Sequence, residues 1–141
     1  MIKKKIGVLL SLVLVSVAAS FAQARECKSN FDESGDDDSG YIYRTNELVK
    51  DTTIPQAMSA VKQQLLVDTW TIKSYNVKSG MIVATEVHNG RIRRVLPLTV
   101  GFSAKGSDVM LRMSFTLPRG VETDSDYVKK QFCTLADAAI Q

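Results

Sequence analysis

Two segments of the chain repeat apolar residues at helical spacing. In residues 54–67 an apolar residue recurs at every third or fourth position, with lysine and glutamine on the opposite side, which predicts an amphipathic helix. Thr52 and Thr53 are suitable N-cap residues, and Pro55 fits the first turn because a proline there loses no helical hydrogen bond. Residues 125–139 have the same spacing and follow a cluster of acidic residues and serine, so they predict a second helix.

Between these helices the apolar period changes to two, as in strands. The alternation predicts four strands, at about residues 70–77, 81–87, 91–102 and 109–117. Asn89-Gly90 lies between the second and third strands and is a strong hairpin signal, whereas Pro97 indicates a bulge or an edge in the third strand. We therefore predict an α+β fold: an antiparallel four-stranded meander with two helices packed on one face, in the order α-β-β-β-β-α.

The first 24 residues have the three parts of a secretory signal peptide. Lys3 to Lys5 are basic, Ile6 to Ala19 are uncharged and largely apolar, and Ala22-Gln23-Ala24 is a small-x-small cleavage site. The apolar stretch is shorter than the roughly 20 residues that a membrane-spanning helix needs. Arg25-Glu26 precede the nearest cysteine, which is not a lipoprotein signal. We predict a periplasmic or secreted protein with no stable membrane anchor after cleavage.

Cleavage of the signal peptide 1–24 changes the interpretation of charge and domain organisation. The signal holds three lysines and no acid, so its removal takes away the whole formal charge of +3 and with it the argument for a nucleic-acid partner. Residues 25–40 hold six acidic residues against two basic ones and few apolar ones, which predicts a flexible acidic arm. The remaining residues, 41–141, are predicted to form one α+β domain.

The chain has two cysteines, Cys27 and Cys133, one on either side of the predicted domain core. In an oxidising compartment, an even number of cysteines without metal-ligand spacing favours a disulfide. The alternative is a reactive thiol at Cys133, but no neighbour in the sequence indicates a lowered pKa there. We predict the disulfide Cys27–Cys133.

A further pattern lies in the apolar spacing after the first helix. Trp70-Thr71-Ile72 is followed by Gly80 and an apolar strand that ends in Ala84-Thr85. Over about residues 50–140 this arrangement resembles small uncharacterised envelope proteins of Gram-negative bacteria. It is also similar to the helix-and-meander domains of a lipoprotein component of the outer-membrane β-barrel assembly machinery. The resemblance implies an accessory or binding role in the envelope and carries over no catalytic residue.

The acidic arm contains the one hint of a metal site. Oxygen-bearing side chains recur at every second position, as in a calcium-binding EF-hand loop, at Asp32, Ser34, Asp36 and Asp38. Asp37 stands where that loop requires glycine, and Tyr43 stands where its chelating glutamate belongs. We therefore expect a solvated acidic tether, no cofactor and no metal, with Asp32, Asp36 and Asp38 as weak calcium candidates.

Basic residues cluster after the predicted hairpin turn and on the neighbouring strands. They form a candidate binding surface of Arg91, Arg93, Arg94, Lys105 and Arg112, suited to an envelope protein or an anionic surface component. The competing interpretation is a strand face that charge keeps soluble. His88 and Glu86 lie nearby but form no catalytic or metal motif.

These observations favour a non-enzymatic binding or accessory module of the envelope, with the open sheet face or the hairpin tip as its contact surface. One alternative is a carrier of a small ligand or lipid, which requires an apolar cavity between helices and sheet. A less favoured alternative is a hydrolase with an unrecognised site, which requires a pocket that gathers Glu86, His88 and an aspartate. The sequence leaves the partner and the oligomeric state open.

Overall fold

A computed structural model describes residues 26–90 and 93–140, so the predicted signal peptide 1–24 and Arg91 lie outside the described residues. Its three helices and six strands are α1 (Glu26–Ser29), β1 (Asp32–Asp36), β2 (Gly40–Val49), α2 (Ile54–Val67), β3 (Thr71–Asn76), β4 (Met81–Asn89), β5 (Arg93–Lys105), β6 (Asp108–Leu117) and α3 (Ser125–Ala139). The strands form one antiparallel sheet in the order β1-β2-β6-β5-β4-β3. No helix in the described part of the chain is long and apolar enough to cross a membrane.

Both predicted long helices are present with the predicted boundaries. Helix α2 begins with a capping box, in which the Thr53 hydroxyl accepts the Gln56 N–H and the Gln56 side chain accepts the Thr53 N–H. Asp124 caps α3 by accepting the Asp126 N–H at 3.0 Å. The apolar stripes of both helices are buried against one face of the sheet, which we call the inner face.

The inner face follows the predicted alternation. On β6 every second side chain is buried, namely Val109, Leu111, Met113, Phe115 and Leu117. On β5 the buried set is Leu96, Leu98, Val100 and Phe102. Trp70, just before β3, is buried with its ring edge-on to Phe115 on the inner face, at a centroid separation of 5.9 Å. Helices and sheet therefore share one core.

The prediction of a four-stranded meander with two helices is wrong, because the sheet has six strands and there are three helices. The two additional strands, β1 and β2, lie before α2. Strand β2 pairs with β6 from Tyr41 opposite Leu117 to Val49 opposite Val109, so it closes the side of the sheet that the meander leaves unpaired. Its inward positions include the polar Thr45 and Glu47, which are both buried, and these interrupt the apolar alternation that would have revealed a strand.

The segment predicted to be a flexible acidic arm, 25–40, also takes part in the fold. Strand β1 pairs with β2 through a tight hairpin, and the Asp36 carboxylate accepts hydrogen bonds from Asp38 and Ser39 within the turn. These bonds hold the pKa of Asp36 below its ordinary value. Backbone pairing and this turn give the acidic segment regular structure, although its own side chains bury little apolar surface.

The predicted disulfide between Cys27 and Cys133 is present. It joins α1 to α3 across a sequence separation of 106, with the two Cα atoms 5.6 Å apart, and both residues are buried. The Thr45 hydroxyl donates to the Cys27 carbonyl at 2.6 Å, so this buried hydroxyl has a partner. The disulfide thus anchors the start of the described chain to the helix layer.

Candidate functional site

The other face of the sheet carries no helix among the described residues, because α2 and α3 pack on the inner face. We call it the open face. One row of directly opposed side chains crosses it, formed by Arg44, Ser114, Thr99 and Val83 on strands β2, β6, β5 and β4. The acidic segment extends the sheet edgewise as β1 and does not fold over this face. Within the described residues, no helix covers the open face.

A groove runs across the open face from β1 to β4, and its volume is about 610 Å³. Asp32 on β1 stands at one end and Met81 on β4 stands at the other. Between them the groove passes over Arg44, Arg112 and Gly101. We call it the central groove. Its volume lies within the range of known ligand sites, although it is open along its length.

Two arginines stand in the middle of the central groove. Arg44 lies opposite Ser114 and Arg112 lies opposite Asn46, so the two arginines are diagonal neighbours on adjacent strands, about 7–8 Å apart. Both side chains are exposed. Within residues 26–90 and 93–140 the ion pair formed is Lys50–Asp108, and neither arginine makes a side-chain hydrogen bond there. The groove thus holds two guanidinium groups that form no ion pair in the described residues, although Asp32 on β1 lies directly opposite Arg44.

Gly101 forms the floor of the central groove beside Arg112. It lies in the interior of β5, where the pairing with β4 and β6 is regular and shows no bulge. Its backbone does not need glycine: the φ angle is not in the left-handed region, and an added Cβ would meet the Arg112 carbonyl at 3.8 Å and the Met81 methyl at 3.9 Å, both ordinary contacts. The missing side chain leaves a depression in the sheet surface.

Most polar side chains around the arginines can donate hydrogen bonds. Asn30 donates through its amide nitrogen to the Asn46 side-chain oxygen at 2.8 Å, which leaves the Asn46 amide N–H groups for the groove. Ser114 and Thr99 add hydroxyl groups. Asp32 is the acceptor-only side chain of the groove wall. This combination suits a ligand that brings carboxylate or phosphate oxygens.

The predicted basic surface is spread over the sheet and is not one patch. Arg112 lies in the central groove, but Arg93 and Lys105 stand at opposite ends of β5, about 40 Å apart at the rise of an extended strand. Arg94 lies opposite His88 on the other face from Arg93. Arg91 is outside the described residues. The sequence interpretation also missed Arg44 and Gly101, whose role depends on a strand pairing that it did not predict.

The hairpin end of β4 and β5 is the second contact surface that the sequence favoured. Val87 and Val95 lie opposite each other on the open face, and they are 44% and 49% exposed. Arg93, which is also exposed, is opposite Asn89 at the last described pair before the turn. These residues lie apart from the central groove, and the role of the hairpin tip stays a prediction.

The weak calcium candidates do not converge. Asp32 and Asp36 are at the two ends of the extended strand β1, about 13 Å apart by its rise, and Asp36 is occupied by the turn. Asp38 lies in that turn and donates its backbone N–H to Asp36. Among the residues that the structure describes, no group of three or more metal-ligating side chains could hold an ion.

A small cleft lies between α3 and the sheet at the end near Trp70. Glu86, Tyr127 and Gln131 line it, and burial raises the pKa of Glu86 although the nearby His88 opposes the shift. Its volume is about 10 Å³, enough for at most one water molecule. The cleft therefore offers no room for the lipid of a carrier or the substrate of a hydrolase.

Comparisons with known proteins leave the family open. No family model matches the chain, and no curated protein matches it. Among solved structures, a conserved protein of unknown function from Enterococcus faecalis is similar, at 9% sequence identity and a TM-score of 0.49, over 81% of this chain and 78% of that one. A likeness at this level bears on neither family nor function. The resemblance to envelope proteins stays a prediction.

Proposed function

We propose that this protein is a non-enzymatic binding module of the cell envelope, which recognises another envelope component through its open face. The observation that carries the proposal is the central groove, where two unpaired arginines lie over a glycine floor on a sheet face without helices in the described chain. Glycine weakens the interior of a strand, and where there is no bulge it often marks a place that a ligand or another backbone approaches closely.

Two features support the envelope as the location. The buried disulfide Cys27–Cys133 is consistent with an oxidising extracellular compartment. The predicted signal peptide 1–24 supports export to the periplasm or secretion. Within the proposal, the disulfide keeps α1 and the adjoining edge of the sheet in place at the end of the groove marked by Asp32.

A photoreactive amino acid in place of Ser103 tests the proposal in cells. Ser103 is exposed and lines the central groove, whereas Gln63 is exposed on α2 and serves as the matched control. We expect Ser103 to give an adduct with one envelope protein, identified by mass spectrometry, and Gln63 to give none. Adducts from Gln63 alone, or no adduct from either position, would contradict the proposal.

A further inference from the structure

We infer that the ligand of the central groove is an extended acidic peptide segment whose two carboxylates, two residues apart, bind Arg44 and Arg112. This inference rests on the proposed function and names the chemistry of its partner. It is carried by three properties of the groove: the charge of its side chains, the spacing of the two arginines, and the floor at Gly101.

Two guanidinium groups give the groove its positive charge. Each has five N–H donors in a planar fork that matches the two oxygens of a carboxylate. Neither group has an ion pair in the described residues, and the Asn46 amide and the Ser114 hydroxyl add donors beside them. Asp32 lies directly opposite Arg44 on β1, so it disfavours an acidic ligand group on the β1 side of Arg44 and favours one on the side of Arg112. The acidic groups of a ligand therefore belong in the middle of the groove.

The distance between the two arginines matches the side-chain spacing of an extended peptide. As diagonal neighbours on adjacent strands they stand about 7–8 Å apart. In an extended peptide, side chains at positions i and i+2 point to the same side and are about 6.6–6.8 Å apart. Adjacent residues point to opposite sides. A Glu-x-Glu segment that runs along the diagonal from Arg44 to Arg112 can thus present both carboxylates to these arginines, whereas Glu-Glu can present one.

The groove has room for a peptide backbone at Gly101. Gly101 lies directly opposite Arg112 on β6 and Met81 on β4, so the absence of its side chain opens the groove on the path between these strands. The groove spans five strands, which at the usual strand spacing is about 19 Å. This is the width straight across the strands, and the oblique path through Arg44 and Arg112 is longer, so the groove accommodates at least about six residues of extended chain.

Binding of short labelled peptides to the purified, oxidised protein, followed by fluorescence anisotropy, tests the inference. The probes are three hexapeptides of serine and glycine, which carry Glu-x-Glu, Glu-Glu or Lys-x-Lys at their centre. We expect Glu-x-Glu to bind about tenfold more tightly than Glu-Glu, because one charge-assisted contact is lost in the latter, and Lys-x-Lys not to bind. Added salt should weaken the binding.

Single substitutions assign the binding to the groove. Arg44→Gln and Arg112→Gln should each weaken Glu-x-Glu binding about tenfold, whereas the exposed Arg93→Gln and Lys105→Gln at the ends of β5 should leave it unchanged. Gly101→Val should abolish binding while the midpoint of thermal unfolding stays the same or rises, because valine suits a strand better than glycine. Gly101→Ala is the milder variant if valine disturbs folding.

The inference would be overturned by equal binding of the Glu-x-Glu and Glu-Glu peptides, by binding that survives both arginine substitutions, or by no binding of any peptide. A uronic-acid oligosaccharide and inorganic phosphate serve as further probes, and tighter binding of either would overturn it in favour of another anion. If the peptides fail but the Ser103 adduct still forms, the inference is wrong and the proposed function stands. If the peptides do not bind and no Ser103 adduct forms, the inference and the proposed function are both wrong.

Discussion

The two faces of the sheet are built from the same strands but follow different rules. On β6, Leu111 and Met113 point inward and are almost completely buried, whereas Arg112 and Ser114 between them point to the open face. Packing against α2 and α3 dictates the inward side chains. Packing against the helices does not constrain the side chains that point to the open face. An unpaired arginine or a glycine without a backbone reason is therefore more informative on the open face than any leucine in the core.

The disulfide on the inner side should have the largest effect on stability. Replacing both cysteines, Cys27→Ser with Cys133→Ser, should lower the free energy of unfolding by about 4–5 kcal/mol, since the bridge closes a loop of about a hundred residues. Denaturant unfolding without reductant measures this loss, and the reduced wild-type protein should match the variant. A loss below about 1 kcal/mol would show that the constraint of the unfolded chain matters little here.

Two neighbours on β6 compare the faces directly. Leu111→Ala removes a fully buried side chain and should lower the free energy of unfolding by about 2–5 kcal/mol. Met110→Ala, on the open face, should cost about 1 kcal/mol or less because that side chain is only partly buried. Equal losses in denaturant unfolding would mean that the open face is packed against something, contrary to its description as free.

Glu86, at the margin of the inner face, should give the smallest effect and one that depends on pH. Burial raises its pKa above the ordinary value of 4.5, so the folded protein binds the proton more tightly than the unfolded chain. Stability from this group is therefore full below pH 4.5 and declines as pH rises through the raised pKa. His88, Asp68 and Tyr127 are the other titratable groups nearby.

The substitution Glu86→Gln removes this pH-dependent loss. We expect the variant to be more stable than the wild type at pH 7 and equally stable below pH 4.5, as measured by thermal unfolding across that range. Glu122→Gln, at an exposed position, is the control and should show no such difference. A variant that is less stable at pH 7 would show that the charge of Glu86 is stabilised by its surroundings.

Local patterns predicted much of the fold. The spacing of apolar residues predicted the two long helices, the last four strands and the inward residues of those strands. It could do so because the 3.6-residue period of a helix and the two-residue period of a strand are visible in the local sequence. The disulfide followed from the number of cysteines and the expected compartment. Apolar spacing did not predict strand β2, because its inward residues Thr45 and Glu47 are polar and interrupt the alternation. Thr45 is accommodated by its hydrogen bond to Cys27, a contact between residues far apart in sequence.

The candidate site, too, was only partly predictable from the sequence. Arg112 stood out in the sequence as an outward residue of a clean strand, but the residues expected to join it on one patch lie up to about 40 Å apart along β5. Arg44 comes beside Arg112 only because β2 pairs with β6, and Gly101 becomes a groove floor only because β5 lies between β6 and β4. The sequence by itself determined which residues alternate between faces. Only the tertiary structure decided which strands are neighbours, since pairing between distant segments depends on register and core packing that no local period encodes.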